Sequence, residues 1–187
     1  NSKDKITYIS NWIRDYTLSI KKIPTTLVIG VSGGVDSALT STLCALTGLK
    51  TIAVSMPIKQ NSSQHDLSLR HLDFLKNKFP NVETKVVDLD NVFKTFQVAM
   101  QNFDSELAFA NSRSRLRMVT LYQIAQSNNG IVVGTGNKVE DFGVGFYTKY
   151  GDGGVDISPI ADCTKSDVWE LAEEIGVIKD IISAAPT

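Results

Sequence analysis

The chain has 187 residues, 42% of them hydrophobic and 21% charged, with a formal net charge of −1; that is enough for one α/β domain with a substantial core and short for two. Near-neutral charge gives no general attraction to nucleic acid or to an anionic membrane, so any nucleotide must be held by locally placed groups. Cys44 and Cys163 are the only cysteines and lack CxxC or Cys/His spacing, which argues against a disulfide framework or a zinc site.

At the amino terminus, Ile6, Ile9, Ile13, Tyr16 and Ile20 fall on one stripe and predict an amphipathic helix over 4–21, stopped by Pro24. Lys3, Asp4, Lys5, Arg14 and Asp15 interrupt the segment, so it holds no signal-peptide h-region and no span near the ~20 apolar residues of a membrane helix; a cytoplasmic protein is expected. A strand over Thr26–Val31, a helix over Asp36–Leu46 and a strand over Thr51–Met56 make a βαβ unit with a right-handed crossover. Cys44, within that helix, is read as a small core residue. Ser62–Phe79 predicts a helix stopped by Pro80, Thr84–Leu89 a third strand, and 88–101 a helical or irregular segment.

Ser105–Gln126 predicts a long helix. Leu116, Met118, Val119, Leu121, Tyr122, Ile124 and Ala125 occupy more than one of its faces, so burial on two sides is expected, one of them against a second subunit. Asn128-Asn129-Gly130 is a turn, Ile131–Gly134 a short buried strand, and 143–157 a glycine- and aromatic-rich loop. Lys165–Ile175 and Ile178–Ala184 predict closing helices. Strands alternating with helices point to an α/β fold: a parallel sheet covered on both faces, its ligand off the carboxyl ends of the strands at a switch point.

The segment Leu-Val-Ile-Gly-Val-Ser-Gly-Gly-Val-Asp-Ser, residues 27–37, sets a strand directly against a glycine pair and a helix start. Gly33 and Gly34 permit a tight turn that presents N–H groups to an anion, and a helix beginning near Asp36 adds orphan amides and a partial positive charge. Ser32 and Ser37 can donate hydroxyl hydrogen bonds to phosphate. Asp36 can only accept, so its natural partner beside phosphates is Mg²⁺. A Walker A loop starting at Gly30 would need glycine and lysine where Val35 and Asp36 stand, and the dinucleotide fingerprint would need glycine where Ser32 stands.

Arg113, Arg115 and Arg117 lie within five residues near a helix start. Arg113 and Arg117 share a face at i, i+4 while Arg115 points elsewhere, so the three cannot all serve one anion. Gly134-Thr135-Gly136-Asn137-Lys138-Val139-Glu140 follows a strand at the same sheet edge as the first loop, with Glu140 a candidate second Mg²⁺ ligand. Tyr147–Asp156 combines aromatics, Lys149 and two aspartates in a segment too glycine-rich for core, as befits a loop lining a site.

Together, Ser-Gly-Gly-Val-Asp-Ser, Asn-x-x-x-Arg-x-Arg-Met, Gly-Thr-x-Asn-Lys-x-Glu and Thr-Lys-Tyr-Gly-Asp-Gly-Gly closely resemble the motifs of the ammonia-dependent NAD synthetases, of the N-type ATP pyrophosphatase family. The likeness runs from about residue 10 to the last residue, and the Thr-Lys-Tyr-Gly-Asp-Gly block is its most specific part. The resemblance implies a Rossmann-like sheet of the adenine nucleotide alpha-hydrolase type. It also implies the reaction: the nicotinate carboxyl of deamido-NAD is adenylated by ATP, releasing pyrophosphate, and ammonia then displaces AMP to give NAD. By the same resemblance Gly30, Val31, Ser32, Gly33, Gly34, Val35, Asp36, Ser37, Thr135, Lys165 and Thr187 bind ATP. Asp36 and Lys165 are the catalytic pair, and Asp36 and Glu140 hold Mg²⁺. Arg115, Lys149 and Asp156 hold deamido-NAD in a site shared across a homodimer. ATP is co-substrate, Mg²⁺ the cofactor, and neither nucleic acid nor membrane is a partner.

Two departures from the pattern stand out. Some relatives carry an arginine just before the Leu/Met-Pro pair on the second strand, where this chain has Ser55 before Met56-Pro57. The chain also stops at Thr187, where relatives continue through a mobile segment and a C-terminal helix, so 1–187 is expected to be a single synthetase domain lacking that tail. The stretch before the first strand is too short for a nitrilase-type amidase domain, and Asn1 is no N-terminal nucleophile, which favours free ammonia. The alternatives are the synthetase half of a glutamine-dependent enzyme, or an ATP pyrophosphatase with another acceptor, as in GMP synthetase or tRNA-modifying relatives, although a tRNA enzyme should show a basic face or a cysteine pair and neither is evident. A nucleotide sensor without turnover is the reading from another class; Asp36, Glu140 and Lys165 together speak against it.

Overall fold

Four short strands bounded by turns form the sheet, apolar runs in β1 (Thr26–Gly30), β2 (Lys50–Ser55) and β4 (Gly130–Val132) and the largely polar edge strand β3 (Val82–Val86). In the computed structural model, which describes residues 1–59, 61–138 and 148–184, they lie in the order β3-β2-β1-β4 with every pairing parallel. The helices are α1 (Ser2–Ser19), α2 (Val35–Leu46), α3 (Ser62–Lys78), α4 (Asp90–Ala99), α5 (Glu106–Ser127), α6 (Lys165–Ile175) and α7 (Lys179–Ser183), of which α2 to α5 supply the crossovers that parallel neighbours need.

Strand pleating divides the core. Leu27 and Ile29 of β1 pack with Leu39, Leu43 and Leu75 from α2 and α3, while Val28 faces Phe93, Met118 and Leu121 from α4 and α5. β1 is therefore buried on both faces, as its unbroken apolar sequence requires. The chain leaves β1 for β2 through α2 on one face and arrives at β4 through α5 on the other. The carboxyl ends of β1 and β4 thus bound the crevice where the connections change sides, the place where such sheets bind ligands.

The predicted elements all form, with shifts that have local causes. α2 starts at Val35 because Gly34 is its N-cap. β3 begins two residues before Thr84, since Asn81 Nδ2 donates to the Ala45 and Leu49 carbonyls at 2.9 Å and the Asn81 carbonyl accepts from Thr51 N at 3.0 Å. The ambiguous segment at 88–101 contains the helix α4. On α1, Tyr16 is not in the buried stripe: it is 41% exposed and stacks on Trp12 at 5.5 Å, and Thr17 takes the core position, its hydroxyl donating to the Ile13 carbonyl. Within one chain α5 buries a single face through Phe109, Met118, Leu121 and Ala125, leaving Val119 64% exposed. Cys44 is buried, and burial pushes its thiol up to about 12, as a core residue should show. Among the described residues no helix is long and apolar enough to cross a membrane.

Candidate active site

Between β1 and α2 the chain turns through Ser32-Gly33-Gly34. Gly33 has φ +95°, and a Cβ there would overlap the Gln64 carbonyl oxygen in the first turn of α3; the position needs glycine for both reasons. The serines hold the turn from within. Ser37 Oγ accepts from Ser32 N at 3.0 Å and donates to the Gly34 carbonyl at 3.2 Å, while Ser32 Oγ accepts from Gly34 N at 3.2 Å. Ser37 is almost fully buried and its hydroxyl bonds the turn from within, while the residue still lines both cavities. What the loop offers an anion is the N-terminus of α2, whose first-turn amides have no intrahelical acceptor.

Asp36, in that first turn, carries the carboxylate of the site. Asn137 Nδ2 donates to its Oδ1 at 3.0 Å and Lys165 Nζ to the same oxygen at 3.2 Å. Segments more than 100 residues apart in sequence therefore converge. Lys165 opens α6, which is fixed by a capping box between Thr164 and Asp167. The Lys138 amide donates to the Cys163 carbonyl at 2.8 Å, tying the strand-following segment that bears Asn137 to the approach of that helix. Among the described residues no cluster of three metal-binding side chains occurs. The donor set still suits Mg²⁺: among the described residues both polar contacts of Asp36 reach Oδ1 and leave Oδ2, and this cation needs one or two carboxylates, with phosphates and water completing its shell.

Two cavities meet here. One of about 410 Å³ runs along Ser32–Ser37 to Lys165 and Trp169; the other, about 320 Å³, is walled by Met56, Met118, Leu121, Val133 and Val155. Ser32, Ser37, Gln64 and Thr135 line both. A trough lined by the glycine loop, Asp36 and Lys165 that opens into a slot with an apolar wall suits a nucleotide, phosphates in the first and base in the second.

The family described as NAD synthase has a model that matches residues 5–187. The chain belongs to the NAD synthase family. It is 36% identical over 192 residues to a protein from Carboxydothermus hydrogenoformans described as NH(3)-dependent NAD(+) synthetase, covering 100% of this chain and 76% of that protein. Among solved structures it is similar to an NMN synthetase from Francisella tularensis, with TM-score 0.89 and 34% identity over 100% of this chain and 76% of that one. It is also similar to the NH3-dependent NAD synthetase from Campylobacter jejuni subsp. jejuni, solved with nitrate ion, with TM-score 0.85 and 27% identity over 97% of this chain and 76% of that one.

In this NAD synthase family chain, Gly30, Val31, Ser32, Gly33, Gly34, Val35, Asp36, Ser37, Thr135 and Lys165 all line one or both cavities. Glu140, Tyr147 and Thr187 lie outside the described residues. The other predicted group, Arg115, Lys149 and Asp156, lines neither cavity. Arg115 Nε donates to the Lys149 carbonyl at 2.9 Å, and Lys149 Nζ lies 5.3 Å over the Tyr150 ring, both side chains being exposed. Asp156 serves the backbone: its Oδ2 accepts from Val132 N at 2.7 Å and its Oδ1 from the Tyr122 hydroxyl at 3.4 Å. Burial and the neighbouring Asp156 push the Tyr122 phenol up to about 12. Arg115 turns away from the other two arginines as the spacing required; Arg113 lies over the Phe93 ring at 5.3 Å and Arg117 on the Met56 carbonyl, near enough for their charges to interact. Sequence reasoning gave no role to Gln64, Asn137, Trp169 or the slot wall. Gln64 had one available signal, since the start of α3 must lie at the same sheet edge as the loop.

Proposed function

We propose that the chain amidates the nicotinate carboxyl of deamido-NAD with ATP and ammonia, giving NAD, AMP and pyrophosphate. The observation that carries the proposal is the junction of the two cavities: the trough at the α2 N-terminus leads directly into the apolar slot, and Asp36 and Lys165 stand beside it. The chemistry needs no protein nucleophile. A carboxylate oxygen of the substrate attacks the α-phosphorus, the bond to pyrophosphate breaks, and the leaving group keeps the electron pair. The ammonia lone pair then attacks the acyl carbon, AMP leaves with the carbon–oxygen electron pair, and one proton is released.

The chain's residues align these groups and offset phosphate charge. The α2 amides and Lys165 face the departing pyrophosphate, and Thr135 lines the passage between base and phosphates. Mg²⁺, held by Asp36 and Glu140, would neutralise phosphate charge and orient the triphosphate. Arg115 and Lys149, exposed outside the two cavities, offer cations to the dinucleotide. A second copy of the chain is the proposed cover for the outer side of α4, α5 and their connection, where Val98, Phe103, Leu107 and Val119 are exposed. A mononucleotide acceptor carrying the same carboxyl is the second reading, favoured by the likeness to an NMN synthetase.

Product analysis tests the proposal. With ATP, Mg²⁺ and ammonium, AMP and pyrophosphate should form only when deamido-NAD is added, and ammonium should support the reaction where glutamine does not. Faster turnover of nicotinate mononucleotide would select the second reading, and ADP as product would refute both.

A further inference from the structure

Arg117 is a half-buried cation on the inner face of α5 that lines the apolar slot. Its Nε donates to the Met56 carbonyl at 3.0 Å, which pins the guanidinium at the end of β2. Among the described residues this is its one hydrogen bond, and no carboxylate lies within ion-pair distance. The charge that acts on it has the same sign: burial and Arg113 both depress its pKa. A desolvated guanidinium with a like charge beside it and no anion is held at a cost. Arginine carries five N–H donors in a fork suited to phosphate, and the Met56 contact uses only one, so the terminal nitrogens remain for a ligand.

The two cavities say which ligand atom. With the base among Met56, Met118 and Leu121 and the outer phosphates against the α2 N-terminus, the α-phosphate would fall where the cavities join, at Ser32, Ser37, Gln64 and Thr135, and Arg117 lines the slot that opens from that junction. β2 offers no cation there, since Ser55 precedes Met56 and its hydroxyl pairs with Ser68 at 3.0 Å. Arg117 reaches the same strand end from α5. Resting on the proposed use of ATP by this site, we propose that Arg117 binds the α-phosphate, in ATP, in the acyl-adenylate and in AMP. That phosphate is where a second anion, the substrate carboxylate, must approach, so a fixed cation beside it lowers the repulsion as the new bond forms.

Binding of AMP, adenosine and Mg²⁺-pyrophosphate to wild type, Arg117→Met and Arg117→Lys, measured by calorimetry, tests this. Methionine keeps the apolar stem. Arg117→Met should weaken AMP by ~10–100-fold, the scale of a charged hydrogen-bonded contact, while adenosine and pyrophosphate bind as before. Arg117→Lys, a point charge without the fork, should fall between. The ligand-free melting temperature of Arg117→Met should stay or rise, because an uncompensated cation is removed; a merely structural clamp on Met56 would lower it. Unchanged AMP affinity, or equal loss of AMP and adenosine, overturns the α-phosphate role while leaving the nucleotide site standing. Wild type that binds neither AMP nor adenosine overturns the nucleotide site and this role together.

Discussion

His71 links acid stability to the phosphate loop. It is fully buried where α3 meets α2, with Nε2 2.9 Å from Ser41 Oγ, and that hydroxyl donates in turn to the Ser37 carbonyl at 2.7 Å. Its Nδ1 has no hydrogen-bond partner among the described residues. Burial lowers the imidazole pKa from 6.5 to about 4, against a smaller opposing contribution from the Ala38 carbonyl. The folded pKa is thus depressed, so stability is intact above pH 6.5 and is lost as pH falls towards 4, where the unfolded chain takes up a proton that the folded chain refuses. Linkage puts the loss from this residue at about 2 kcal/mol between pH 7 and pH 5. Urea unfolding of wild type and His71→Gln, whose amide can replace the bond to Ser41, measures it. The variant should start less stable or equal at pH 7 and lose about 2 kcal/mol less on going to pH 5. Parallel pH profiles for the two proteins, or a His71 resonance titrating near 6.5, would refute the reasoning.

Other substitutions test the site itself. Gly33→Ala places a side chain at φ +95° against the Gln64 carbonyl; it should cost about 1–2 kcal/mol or more in urea unfolding and reduce ATP affinity measurably, and wild-type values for both would remove the loop–α3 contact from the account. Asp36→Asn should lower turnover by on the order of 100-fold while its ion pair with Lys165, a partly exposed one, changes stability by only about 0–1 kcal/mol; near-normal turnover would refute the metal role. Arg115→Ala and Lys149→Ala should raise the KM for deamido-NAD much more than that for ATP, and an equal rise in both would point to a general loss of structure.

What could be read directly was what is local in sequence. An apolar strand, two glycines and a helix start fix the loop within a dozen residues, and alternation of strands and helices fixes the parallel sheet. The contacts that finish the site are remote: Asn137 meets Asp36 across 101 residues and Arg117 meets Met56 across 61, distances over which periodicity carries no information. Hydroxyl roles were also illegible, because Ser37 has the same donor whether it faces a ligand or, as found, the Gly34 carbonyl. Tyr16 failed for a different reason. An apolar stripe on a helix predicts the buried side, but a neighbouring Thr17 can satisfy its hydroxyl on its own helix and occupy the core instead.

The most direct measurement follows oxygen. Deamido-NAD labelled with ¹⁸O in the nicotinate carboxylate, turned over with ATP, Mg²⁺ and ammonia, should deliver one labelled oxygen to the phosphate of AMP, because the carboxylate attacks the α-phosphorus and the carbon–oxygen bond breaks when ammonia arrives. AMP free of label, with the pyrophosphate or the NAD-side products accounting for all of it, would contradict the adenylylation on which the account rests.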